Sequence, residues 1–219
     1  VILRLLLPPD PPARAVAMGS DLIRQHGQIY ASAHMAAPAM GFVFYTALYV
    51  AVLTLLPPLL PEGQRALAAA GMPLFSIAVS LTLGVWALAH VSAVRLVELG
   101  YGVGALAAVI LGLVWGQGTL VLLAAFALAG AMGIVQGASF AAIPQLNHSA
   151  EDRARASGAV AQLGNLGTTS GTPLLVWAME KAGHTGLALF LIGFSALGIV
   201  IHAAQKRRRQ ISAEPRPLR

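Results

Sequence analysis

The sequence contains no cysteine, and only 10% of its 219 residues are charged and 6% are aromatic. Without cysteine the chain can form no disulfide, no thiolate metal site and no thiol nucleophile. A soluble domain typically carries about 25% charged residues, which keep its surface hydrated. The shortage of charge therefore argues against a soluble enzyme, a nucleic-acid binder or a disordered protein. Nothing in the sequence indicates a cofactor or a metal.

Apolar residues make up 57% of the chain, and its mean hydropathy is +0.74. A chain of this length has too little interior to bury so many apolar side chains in a soluble fold. The sequence therefore predicts an all-α integral membrane protein.

Charged residues divide the sequence into five long uncharged runs. A helix needs about 20 apolar residues to cross a bilayer core of about 30 Å. Four of the runs hold one span each. The run from 99 to 150 is long enough for two, which Gly116-Gln117-Gly118 would separate by a tight turn. The predicted transmembrane helices are 37–59, 66–89, 97–115, 119–142, 155–178 and 186–204.

Lys and Arg lie mostly on one side of these predicted helices. If the N-terminal segment is cytoplasmic, the outer loops hold only Arg65 and Lys181. The cytoplasmic parts then hold Arg4, Arg14, Arg24, Arg95, Arg153, Arg155, Lys206, Arg207, Arg208, Arg209, Arg216 and Arg219. The positive-inside rule therefore places both termini in the cytoplasm, with a bacterial inner membrane as the expected location. The run 206–209 would face anionic lipid, and nucleic acid is not an expected partner.

The segments outside the predicted bundle differ in composition. Residues 1–36 are rich in proline and contain a short helix that Ser20 can cap, and residues 205–219 form a basic tail. The short helix carries an apolar stripe made of Leu22, Ile23, His26, Ile29 and Tyr30. It would lie on the membrane surface or serve as an ordinary linker helix. Because the sequence begins with Val1 rather than Met, we expect a piece of a longer protein.

Polar residues inside a membrane tend to face the bundle interior or a water-filled cavity, so their positions are the main clue to function. On the fifth predicted helix Gln162, Asn165, Thr169 and Thr172 form one stripe. Gly164, Gly167 and Gly171 form another on nearly the opposite side, where a second helix can approach closely. The polar stripe would line a substrate path, or its amides would simply bond between helices.

Other polar residues lie on the first and fourth predicted helices. Tyr45 and Tyr49 are too deep for an interfacial belt, and would line the path or pack in the core with one hydrogen bond. Gln136 and Ser139 lie one turn apart, beside the close-packing pair Gly133 and Gly137. The third and sixth helices carry little beyond Tyr101 and Ser195 and would be lipid-facing supports. His202 would lie at a helix end on the surface.

The loop before the fifth helix combines a capping box, Ser149 to Asp152, with charged residues. Glu151 and Arg155 are spaced for an ion pair on one helix. The residues Glu151, Asp152, Arg153 and Arg155 would form a solvated helix start, or a cytoplasmic gate that pairs with another part of the protein.

This pattern resembles the C-terminal half of a major facilitator superfamily transporter. The stretch from Ile143 to Asn147, the charged segment up to Gly158, and the run Gly164 to Pro173 resemble that family's tenth helix, inner loop and eleventh helix. The resemblance implies two inverted three-helix repeats. It also implies a small-molecule substrate that passes between this half and a missing N-terminal six-helix half. The family's inner-loop pattern is degraded near His90 and Ser92.

Two other functions stay open at this point. The six-helix unit could assemble with itself as a half-transporter or channel. An intramembrane enzyme is the weaker alternative, since Gly137-Ala138-Ser139-Phe140 only partly matches a serine site and no histidine lies mid-span as a base. We expect a transporter without enzymatic activity.

Overall fold

A computed structural model describes residues 20–213, with side chains for 23–211, and these residues are helical apart from short connections. Helix α1 spans Ser20–Ala31, α2 Ala36–Leu59 and α3 Glu62–Leu88. Helix α4 spans Ala93–Leu113 and α5 Thr119–Leu146. The last element runs Ala150–Ala213 with non-helical backbone at Ala182 and Gly183, and we name its two arms α6 (150–181) and α7 (184–213).

Five of these elements are long and apolar enough to cross a membrane: α2, α3, α4, α5 and the element that contains α6 and α7. The predicted all-helical class is therefore confirmed for residues 20–213, and the five long apolar elements are consistent with a membrane protein. The proline-rich opening before residue 20 and the end of the basic tail after residue 213 lie outside the described residues.

Most helices extend beyond the predicted spans. Helix α3 begins at 62 rather than 66, and α4 begins at 93 rather than 97. Helix α5 ends at 146 rather than 142, and α6 begins at 150 rather than 155. The physical reason is that polar and charged residues mark the membrane boundary, whereas a helix continues into water for as long as its backbone bonds are made.

Glycines with positive φ make two of the reversals. Gly116 (φ 79°) and Gly118 (φ 54°) turn the chain between α4 and α5, and Gly183 (φ 56°) turns it between α6 and α7. A Cβ on Gly186 would collide with the carbonyl oxygen of Ala178. Residues eight apart in a continuous helix are about 12 Å apart along its axis, so α7 folds back along α6.

Helices α2 and α5 form the centre of the bundle. In their most apolar windows 61% of the residues are buried, against 17% for α3. Helix α2 packs against α6 through Gly167 and against α7 through a contact between Phe44 and Phe194. Helix α5 packs against α3 through Gly133 and against α4 through Gly100. The outer faces of α3, α4, α6 and α7 remain exposed and rich in large apolar side chains.

The α1–α2 linker, residues 32–35, defines one end of the bundle, which we name the linker end. Helices α4 and α6 begin there, and α3, α5 and α7 end there. Side chains from α7 and from the residue after α5 bind the backbone of this linker and of the last residue of α1. Arg208 and Arg209 donate to the carbonyls of Ala31 and Ala33 at 3.1 Å each, and Asn147 donates to that of His34 at 3.4 Å. The end of α1 is thereby attached to the bundle.

Candidate functional site

The two predicted path tyrosines lie inside the bundle. Tyr45 and Tyr49 are 5% and 4% exposed. Their rings continue a row that starts at Phe140 and Phe42, with successive centroid distances of 5.3, 5.0 and 5.6 Å. The Tyr49 hydroxyl donates to the Met72 carbonyl on α3 at 3.3 Å. In this conformation the tyrosines join α2, α3 and α5 rather than lining an open cavity.

Gln136 and Ser139 on α5 differ in accessibility. Gln136 is half-buried. Ser139 is fully buried, and its hydroxyl donates to the Val135 carbonyl of its own helix at 2.7 Å. That bond engages the only proton of the hydroxyl, so Ser139 has no free donor for a substrate.

The predicted polar stripe of α6 lies on the exposed side of that helix. Gln162, Asn165 and Thr169 are all exposed, whereas Thr172 is half-buried. The Thr169 hydroxyl donates to the Asn165 backbone carbonyl at 2.9 Å, and the Asn165 side chain is exposed. The stripe therefore presents amides on a helix face that no described helix of the bundle covers in the middle of the span.

Helix α1 covers the linker-end part of that stripe. The Tyr30 hydroxyl donates to Gln162 Oε1 at 3.0 Å, and Gln162 Nε2 lies 3.1 Å from His26 Nε2. The short helix is therefore bound to α6 by side-chain hydrogen bonds. Gln162 belongs to this contact rather than to the open face that Asn165 and Thr169 form.

The glycine stripe of α6 faces α2. A Cβ on Gly164 would press on the Phe42 ring at 3.1 Å, one on Gly167 would collide with Thr46 and the Val43 carbonyl, and one on Gly171 would collide with the Ala47 carbonyl. Close approach of two backbones requires small residues at these positions.

The glycines of α5 make the corresponding contact with α3. A Cβ on Gly133 would collide with the Ser76 carbonyl, and one on Gly137 would lie 2.5 Å from the Ser80 hydroxyl oxygen. Ser80 opens the π-helical segment Ser80–Gly84 of α3. Two pairs of helices thus meet through glycines, α6 with α2 and α5 with α3.

The charged start of α6 forms its contacts locally. The Ser149 hydroxyl accepts from the Asp152 backbone N–H at 3.0 Å and donates to the Asp152 carboxylate at 2.8 Å. Arg155 pairs with Glu151 at 2.6 Å, and Arg153 is exposed. The ion pair lies within one helix. No ion pair from this segment to another helix forms among the described residues, as a gate in its paired state would require.

Helix α7 carries a row of buried polar residues that the sequence analysis did not predict. Ser195, His202 and Gln205 are 0%, 0% and 3% exposed and recur at helical spacing with the small residue Gly198. The expectation that His202 lies on the surface is wrong, whereas the role of this helix as a lipid-facing support stays a prediction. A spacing of three to four residues between 195, 198, 202 and 205 could have indicated a buried stripe.

Glycine provides the space for this row. The His202 ring lies directly on Gly41 of α2, where a Cβ would overlap it, and Gly198 accommodates the Tyr101 ring of α4. The Tyr101 hydroxyl donates to the Gly41 carbonyl at 2.8 Å. The Ser195 hydroxyl oxygen and both His202 ring nitrogens have no hydrogen-bond partner among residues 23–211. Helices α2, α4 and α7 therefore meet at a tight joint with unsatisfied polar atoms.

At the linker end, the environment of His34 is positively charged. Burial lowers the pKa of His34 from its ordinary value, and Arg209 and His148 lower it further. The neutral imidazole is favoured there because a second positive charge beside an arginine is disfavoured.

No protein-family model matches this chain, and no curated protein matches its sequence.

Proposed function

We propose that the chain crosses the membrane six times and acts as one half of an alternating-access transporter for a small molecule, as its resemblance to the major facilitator superfamily implies. The observation that carries the proposal is the pattern of helix packing. Exchanging α2 with α5, α3 with α6 and α4 with α7 relates most of the larger helix contacts to one another, although α2 contacts α3 more extensively than α5 contacts α6.

In each related pair of contacts a glycine lets the two helices approach closely, although the glycines do not lie on helices that exchange with each other. The glycine-lined contact of α2 with α6, at Gly167, corresponds to that of α5 with α3, at Gly133. The contact of α2 with α7, where Gly41 meets His202, corresponds to that of α5 with α4, where Gly100 meets Val135. The contact of α4 with α7 is unchanged by the exchange, because these two helices trade places. This is the arrangement expected of two inverted three-helix repeats.

The exposed faces of α3 and α6 are where the other half of the transporter would dock. Only 17% of the apolar window of α3 is buried, and α6 presents Asn165 and Thr169 outward. In a membrane such amides and hydroxyls favour a water-filled path over lipid. Asn165 would contact the substrate through its amide, and Thr169 only as an acceptor, because its hydroxyl proton is bonded to the Asn165 carbonyl. Tyr45 and Tyr49 would support the path from behind. The hydrogen-bonding groups suit a neutral or polar substrate.

The distribution of Lys and Arg supports an orientation with the linker end in the cytoplasm. Of the 14 Lys and Arg residues in the sequence, six spans would put twelve on that side and only Arg65 and Lys181 on the other. Both termini would then be cytoplasmic, in a bacterial inner membrane.

Thiol labelling tests the proposal directly because the chain has no cysteine of its own. In membranes, Asn165→Cys should react with a water-soluble, membrane-impermeant maleimide. Leu106→Cys is the matched control, because Leu106 is 60% exposed at similar depth on α4, where lipid should cover it. Equal reactivity of the two variants would contradict a water-filled path along α6.

The same strategy tests the topology. Lys181→Cys should react from outside intact cells, and Arg207→Cys only after the cells are opened. Reaction of both from the same side would rule out six spans. A disulfide between two copies of Asn165→Cys would favour the self-assembling half-transporter.

A further inference from the structure

A charged cleft of about 310 Å³ lies at the linker end, where α4 begins, α5 ends and α7 leaves the bundle. We name it the linker-end cleft. Its polar lining consists of Ser92, Arg95, Glu98, Gln145, Lys206 and Arg209. Three cations from two helices thus converge on one space, with a single carboxylate among them.

The charges in the cleft are not balanced internally. Arg209 is half-buried, donates to the Ala33 carbonyl at 3.1 Å and interacts electrostatically with Glu98. Arg95 and Lys206 are exposed, and neither forms an ion pair among residues 23–211. The cleft therefore has an excess of positive charge that Arg95 and Lys206 supply.

One hydrogen bond between helices and one helix cap hold the wall of the cleft. Gln145 of α5 accepts from the Ala93 backbone N–H at 2.8 Å, and Ser92 caps α4 by accepting from the Arg95 backbone N–H at 3.4 Å. These bonds fix the start of α4, whose backbone adds a positive partial charge on the same side. The site is thus formed in advance of any ligand.

The surface next to the cleft is apolar. Leu99 and Leu106 follow Arg95 on the same side of α4 and are 49% and 60% exposed. They lie on the membrane side of the charged residues by one to three helical turns. A ligand that fits both surfaces has an anionic head and a hydrocarbon body.

We propose that the linker-end cleft binds the phosphodiester headgroup of an anionic phospholipid, with Arg95 and Lys206 as its principal ligands. The guanidinium offers a planar pair of donors to two phosphate oxygens, and the ammonium adds a point charge. The acyl chains run along the exposed apolar side chains of α4. The proposal rests on the membrane embedding in the proposed function and does not depend on transport.

The structure distinguishes this site from a diffuse attraction of the whole basic run. Lys206 and Arg209 line the cleft, and Arg208 binds the end of α1 at the Ala31 carbonyl. Arg207 has the same charge, is exposed and does not line the cleft. Arg207→Gln is therefore a matched control for Lys206→Gln.

The test measures association of spin-labelled phosphatidylglycerol with the full chain, reconstituted in phosphatidylcholine bilayers. A cation near an anionic membrane surface contributes to lipid binding by about fivefold in affinity. Arg95→Gln and Lys206→Gln should each lower the preference for phosphatidylglycerol over phosphatidylcholine by about that factor. Arg207→Gln should leave the preference unchanged, and Glu98→Gln should raise it, a gain that misfolding cannot produce.

Several outcomes would overturn the proposal. An equal loss in Arg207→Gln and Lys206→Gln would show that the run acts by diffuse charge. Displacement of the labelled lipid by ~10 mM inorganic phosphate, at constant ionic strength, would assign the cleft to a soluble anion. Absence of any preference in the unaltered chain would reject the site. None of these outcomes bears on thiol labelling of Asn165→Cys, so failure of the transport proposal remains separately detectable.

Discussion

Helices α6 and α7 are adjacent arms of one hairpin, yet they use polar residues in opposite ways. Helix α6 turns Gly167 and Gly171 inward onto α2 and leaves Asn165 and Thr169 exposed. Helix α7 buries Ser195 and His202 and exposes large apolar side chains such as Val200. Polarity alone therefore does not show which helix lines a path, because a small residue on the partner can bury a polar side chain.

The largest loss of stability is expected from a substitution on the face of α6 that packs against α2. Gly171→Ala places a methyl group against the Ala47 carbonyl, which is backbone and cannot move without displacing α2. Overpacking of this kind costs about 3 kcal/mol, measured as the free energy of unfolding in detergent. Gly158 has open space around it. Gly158→Ala should therefore stabilise the protein by up to about 1 kcal/mol through helix propensity. Similar losses in both variants would contradict the α2–α6 contact.

A smaller loss of stability is expected from a substitution at the contact between α2 and α7. Gly41→Ala forces the Cβ into the His202 ring, which should destabilise the protein by about 2 kcal/mol. The ring is a side chain and can be removed. In the double variant Gly41→Ala with His202→Ala, the added methyl group should therefore cost much less. The double-mutant cycle measures this coupling, and additive losses would show that the two residues do not touch.

The smallest effects compare polar groups on the two arms. Ser195→Ala removes a buried hydroxyl with no hydrogen-bond partner among the described residues. The free energy of unfolding should therefore rise by about 1 kcal/mol. Thr169→Val changes an exposed side chain and should alter stability by less than about 0.5 kcal/mol. A clear loss of stability in Ser195→Ala would indicate that this hydroxyl has a partner, and the contrast between the two arms would fail.

The periodicity of the sequence predicted which residues share a helix face more reliably than it predicted whether that face is buried or exposed. The stripe at Gln162, Asn165 and Thr169 does share one side of α6, opposite the glycines. Its coverage by Tyr30 and His26 depends on a contact between residues more than 130 positions apart, which no local pattern encodes. The burial of Tyr45 and Tyr49 has the same origin, because neighbouring helices supply the contacting rings and carbonyls.

The sequence by itself determined the helical class, the membrane setting and the approximate number of apolar segments. Those properties follow from the hydrophobicity of local stretches and from the backbone's need for internal hydrogen bonds in lipid. Only the tertiary structure decided that His202 is buried against Gly41 and that Arg95 and Lys206 share one cleft. Burial and charge convergence depend on which distant helices meet, and the packing of small residues between helices decides that.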